Sequence, residues 1–183
     1  MTVKQGNAVM EAPKWWGVVG ALLLVAVLIA VQVLDLRDRP YLEEDVWVIA
    51  AVGLGGILAW LPVHEGAHVV GYMVKGVAFR DTTRAYLWRV VPRAVGTRKC
   101  VGVGAVRASL VAVLVATGAI SAAGLWVLCQ RGVWERGAPR LSVWLALCAA
   151  LFGAWNDLYW LWMIRKCPPE TRFRDLQDRL EEC

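Results

Sequence analysis

Both histidines of the chain fall within one short stretch, His64-Glu65-Gly66-Ala67-His68. On a helix, positions four apart share a face, so the two imidazoles can hold a single metal ion while Glu65 reaches a zinc-bound water. The chemistry this spacing suits is hydrolysis, with the glutamate taking and returning the proton of an activated water. The plainer alternative is a pair of packed core histidines with a buried carboxylate between them.

Two imidazoles call for a third protein ligand and an open position for water. Asp157 is the candidate, because it falls in the last apolar stretch of the chain, where an ionised carboxylate costs about 2.5 to 3.5 kcal/mol at a membrane centre and needs a partner. At 1.5 Å per helical residue, His64 and His68 lie roughly 10 to 16 Å from Lys75, and Asp157 lies about 12 Å from Arg165. The depths match. Zn²⁺ with neutral imidazoles would be balanced by the carboxylates of Asp157 and Glu65, whereas two buried carboxylates without metal would tend to protonate. The alternative for Asp157 is a structural carboxylate that pairs with a basic side chain or caps a broken helix. The neighbouring Asn156 could donate to a developing oxyanion or hold a substrate carbonyl, or could bond between helices.

The elements that must position these residues are read from hydropathy. Hydrophobic residues make up 58% of the chain, the mean hydropathy is +0.51 and there are eleven tryptophans among 183 residues. Four apolar runs reach the length of about 20 residues that a bilayer crossing needs: Trp15 to Leu34, Val46 to Val74, Ala108 to Gln130 and Leu141 to Ile164. They predict an α-helical polytopic membrane protein with about four transmembrane helices, forming one membrane-embedded domain over residues 1–183. The first run is too long for a cleaved signal peptide and lacks a small-x-small site after it, so it is expected to remain as an anchor. Tryptophans near the ends of the runs, such as Trp15, Trp47 and Trp162, fit the headgroup level.

Pro62 frees the carbonyl of Leu58 beside the motif and is expected to kink that helix. Gly71 and Gly153 are expected to thin the contact between the second and fourth spans. Between Gly76 and Gly104, β-favouring residues at Tyr86 to Val91, a turn signal at Pro92 to Gly96 and a second run near Cys100-Val101 predict a small β-hairpin between the second and third spans. Such an edge could hold an extended substrate by strand addition; the alternative is an interfacial loop anchored by Tyr86 and Trp88. The polar tail over 165–183 is expected to form a short helix around Phe173, Leu176 and Leu180.

The net charge of +5 follows membrane orientation rather than nucleic acid, for which no binding motif is present. With a cytoplasmic N-terminus, the basic residues divide about three to one in favour of the cytoplasm, so both termini are expected there in an integral membrane protein. Five cysteines, Cys100, Cys129, Cys148, Cys167 and Cys183, form no CxxC pair. On that topology structural disulfides are not expected.

HEGAH in an apolar run, the arginine-rich loop after Gly76 and the aspartate followed by Leu158-Tyr159 together resemble the small zincin peptidases of bacteria and archaea. That family is similar in layout to the site-2 class of intramembrane metalloproteases. The resemblance runs from about Val46 to the end, and HExxH is its specific part. It implies zinc held by His64, His68 and Asp157, with Glu65 as general base and acid. It also implies a membrane-protein or peptide substrate cut within or next to the lipid bilayer of a prokaryotic cell membrane. The site-2 class carries an LDG-like motif around its aspartate, where this chain has Trp155-Asn156-Asp157-Leu158. Two other readings stay open: a non-proteolytic membrane zinc-binding protein, as sensor or transport element, and a hydrolase acting on a lipid or a prenylated peptide.

Overall fold

Short runs near both ends of the chain alternate apolar and polar residues, and they pair. In the computed structural model, which describes residues 9–36, 43–87, 91–130, 143–144, 147–148, 150–176 and 179–183, four strands form one antiparallel sheet. The strands are β1 (Val9–Glu11), β4 (Val101–Gly102), β5 (Arg172–Asp175) and β6 (Arg179–Glu182), in the order β1-β6-β5-β4. Register is fixed by which side chains face inward: Met10 lies opposite Leu180, and Val101 opposite Phe173. A second sheet has two strands, β2 (Thr82–Leu87) and β3 (Val91–Thr97), paired from Thr82 with Thr97 to Leu87 with Val91.

Four helices accompany the strands among the described residues: α1 (Lys14–Leu36), α2 (Glu43–Val74), α3 (Val103–Leu128) and α4 (Trp155–Ile164). The α2 helix runs through Pro62 and stops at Gly76, whose φ of 81° takes the left-handed conformation that glycine adopts without steric cost. Gly71 permits the closest helix contact. A Cβ there would overlap the backbone of Ala108 and Ser109, so α2 and α3 touch backbone to backbone. Below this contact sits the core, in which Tyr72, Val106, Ile164, Phe173 and Leu180 pack together where the four-stranded sheet closes the base of the helices.

The expectation of a four-span helical membrane protein is overturned. Six strands in two antiparallel sheets join the helices, and among the described residues one helix, Val103–Val127, is long and apolar enough to cross a membrane. Hydropathy summed along a run cannot see where a turn interrupts it. Counted from the turn at Ala154, α4 has ten residues and rises about 15 Å, and helical hydrogen bonds join it across that turn to the helical residues 150–153. The expected tail helix is also absent among the described residues: Phe173 is buried between exposed Arg172 and Arg174, Leu180 is buried between exposed Arg179 and half-buried Glu181, and both lie in paired strands.

The hairpin after Gly76 is present, but Pro92 to Gly96 lie inside β3 rather than in its turn. Gly71 meets α3, not the fourth apolar run; Gly153 alone thins that contact, against Trp60 and His64 of α2. Cys100 and Cys183 form a disulfide, contrary to expectation. They are distant in sequence, and only the β4-β5-β6 pairing brings them side by side. Trp88, Arg37, Arg39, Arg131, Arg136, Arg140 and part of the fourth apolar run lie outside the described residues.

Candidate metal centre

His64, His68 and Tyr72 follow one another at intervals of four on α2, so they line one face of that helix. Against this face stand α3, brought in by Gly71, and the start of α4, which carries Asp157 in its first turn. The structure brings both histidines and the aspartate together. His64 Nε2 lies 3.4 Å from Asp157 Oδ2, and His68 Nε2 lies 3.4 Å from Asp157 Oδ1. One donor atom from each of the three residues falls within 4.8 Å of the others.

These three residues fit a small divalent ion. Zinc bonds to nitrogen and oxygen of about 2.0 to 2.1 Å at tetrahedral angles place neighbouring donors about 3.4 Å apart; each imidazole lies 3.4 Å from one oxygen of the carboxylate, His64 from Oδ2 and His68 from Oδ1, and a set with one donor from each residue falls within 4.8 Å. Asp157 Oδ2 is buried and makes no hydrogen bond among the described residues. Buried polar atoms without partners are costly unless something else satisfies them. Three protein donors are the number that leaves a position open for chemistry, where a purely structural zinc site would supply four.

Ser109, which the motif did not reveal, completes the arrangement from α3. Its hydroxyl lies 2.8 Å from His68 Nδ1, so this ring nitrogen is engaged and Nε2 is the one that faces Asp157. The signal for it in the sequence was indirect: Gly71, three residues past His68, marks where another backbone must approach. The motif did not single out Tyr72 either, although it follows His68 at the same interval of four. Its hydroxyl donates to Asp175 Oδ2 at 2.5 Å, and the Asp175 backbone N–H donates to Thr97 Oγ1 at 3.1 Å, so β5 and β3 are tied to the helix that bears the histidines.

Glu65 is buried beside the cluster, its Oε1 4.0 Å from His64 Nε2 and its Oε2 without a hydrogen-bond partner. Burial raises its carboxyl to about 7, opposed in part by His68 and by a hydrogen bond from the Val95 backbone of β3. Burial lowers His64 to about 4, which leaves its imidazole neutral at ordinary pH. Burial acts the same way on His68, but the hydrogen bond and charge of Asp157 outweigh it and the net shift is upward. The Trp60 and His64 rings meet edge to face with their centroids 5.6 Å apart, a contact that helps to fix the imidazole. Asn156 is exposed, on a different side of α4 from the buried Asp157. The structure therefore does not bring it into the cluster.

Compared with protein-family models, curated proteins and solved structures, the chain matches none.

Proposed function

We propose that the protein is a zinc-dependent hydrolase that cuts peptide bonds in or beside a membrane into which α3 inserts. The observation that carries this reading is the convergence of His64, His68 and Asp157, one donor atom from each within 4.8 Å of the others, with the buried Glu65 next to it. A zinc ion there would supply Lewis acidity, which polarises a carbonyl and lowers the pKa of water.

The chain's own residues supply the rest. His64 and His68 would hold the ion through the Nε2 atoms that face Asp157, and the Ser109 hydroxyl at His68 Nδ1 holds that ring in this orientation. Glu65 accepts the proton of the attacking water and returns it to the leaving amine. The Val95 backbone places β3 against Glu65. An extended substrate segment laid along the hairpin would present its peptide bond there, since a strand exposes backbone groups that a helix keeps to itself.

In this reading β1, β4, β5 and β6 would lie on one side of the membrane, since they pair in one sheet directly before α3. The basic residues favour the cytoplasm for that side. The Cys100–Cys183 disulfide opposes it, because cytosolic thiols are kept reduced. Labelling intact cells with an impermeant thiol reagent, with and without prior impermeant reductant, decides between them: labelling of Cys183 after reduction places the sheet outside.

The functional reading is tested with Glu65→Gln. This change keeps size and hydrogen bonding but removes the base, so bound zinc should stay near one per chain. Chelator-sensitive cleavage of a panel of membrane-protein substrates should fall by roughly 10² to 10⁴. Undiminished cleavage by the variant would refute the mechanism. A wild-type protein that binds zinc and cleaves nothing would instead favour a non-proteolytic zinc-binding role.

A further inference from the structure

Leu151, Trp155, Leu158, Trp162 and Arg165 recur at steps of four, three, four and three residues, and so form one stripe along a helix. The helical bonding is continuous beneath it. Ala154 N–H donates to the Ala150 carbonyl and Leu158 N–H to the Ala154 carbonyl, each at 3.1 Å. Leu151, Leu158 and Trp162 are exposed on this stripe.

Two cavities open along it and share Leu158. One, of about 430 Å³, is formed by Arg107, Leu158, Leu161, Trp162 and Arg165. The other, of about 340 Å³, lies between Gly20 and Leu23 of α1 and the side chains of Leu151, Phe152 and Trp155. The chemistry changes from one end to the other: two guanidinium groups at the first, no charged residue at the second. Arg107 donates from Nη2 to the carbonyls of Ile164, Arg165 and Cys167, while its buried Nε has no partner. Arg165 lies over the Trp162 ring at 5.1 Å. Among the described residues neither arginine pairs with a carboxylate.

An amphiphile with a negative head has this shape. From Leu151 to Arg165 the helix rises about 21 Å, enough for the roughly 15 Å of one hydrocarbon leaflet plus part of a headgroup. Arg107 lies in the second turn of α3, the helix long and apolar enough to cross a membrane, and so at the depth where headgroups would lie. We propose that the stripe binds one anionic phospholipid, with its phosphate between Arg107 and Arg165 and an acyl chain running past Leu158 toward Leu151 and Leu23. This site does not depend on the hydrolase reading, and its occupant would pack on the helix that carries Asp157.

Titration of the purified full chain in neutral detergent, followed by native mass spectrometry, tests it. Phosphatidylglycerol should be retained at one molecule per chain, about thirtyfold more tightly than phosphatidylcholine of the same chains, as two basic residues near a lipid surface would give. Glycerol 3-phosphate, which has the phosphate without the chains, should bind far more weakly. Arg107 also caps α4, so the variants spare it. Arg165→Glu and Leu158→Trp should each weaken phosphatidylglycerol binding by about tenfold with an unchanged circular dichroism spectrum, one by reversing charge and the other by filling the groove. Equal retention of the two lipids would overturn the proposal, as would glycerol 3-phosphate binding as tightly as the lipid. So would wild-type affinity in both variants, or a dimer that buries the stripe and retains no lipid.

Discussion

The two halves of α3 are built from the same kinds of residue and end in opposite surroundings. From Val103 to Val113 the helix buries Val103, Val106, Ser109, Leu110 and Val113 against α2 and the four-stranded sheet, and it presents Ser109 to His68. Beyond that, Val115, Ile120, Leu125 and Trp126 are exposed, and only 17% of the apolar window is buried within the protein. The core helix of a water-soluble protein would be mostly buried. The first half is held by protein and contributes Ser109 beside His68; the second presents an exposed apolar surface. Apolar composition thus has two uses in a single helix, and composition alone does not tell them apart.

The comparison can be broken first at the base. Phe173 is 1% exposed in the core beneath the first half of α3, and Phe173→Ala should cost about 3 to 5 kcal/mol through lost burial and a cavity. Thermal unfolding measured in detergent reads this directly, and a loss below about 1 kcal/mol would mean that the sheet is not the foundation of the site.

In the second half the solvent should decide the outcome. Val115→Ala, at a position 65% exposed, should change stability in detergent by less than about 0.5 kcal/mol. Val115→Arg should oppose bilayer insertion of α3 by about 2.5 to 3.5 kcal/mol if that half meets lipid. A membrane-insertion assay separates the two variants. Equal insertion of both would show that this surface meets something other than hydrocarbon.

An effect smaller than that of Phe173→Ala or Val115→Arg is expected where the first half meets the site. Ser109→Ala removes the hydroxyl at His68 Nδ1 and leaves the other contacts of α3 in place, so zinc affinity should fall by about 10- to 100-fold with little change in unfolding temperature. Competition with a chromogenic chelator measures it. An unchanged affinity would reduce Ser109 to a packing residue.

The sequence by itself determined the local geometry of the motif, because the spacing of His64, Glu65 and His68 needs only a helix to place two imidazoles on one face. It also determined that Asp157 needed a polar or metal partner, since a carboxylate in an apolar stretch is costly alone. The hairpin after Gly76 was legible from its β-favouring residues, although its turn was not. Only the tertiary structure decided which side chain would meet Asp157, that Ser109 would orient His68, and that Cys100 would reach Cys183. Those contacts depend on how closely α2 approaches α3 at Gly71 and on the register of β4, β5 and β6, and no local periodicity encodes either. Nor could hydropathy show that Phe173 and Leu180 belong to strands under the helices or that half of α3 serves as core. Transfer free energy measures the wish to leave water and is silent on whether protein or lipid receives the side chain.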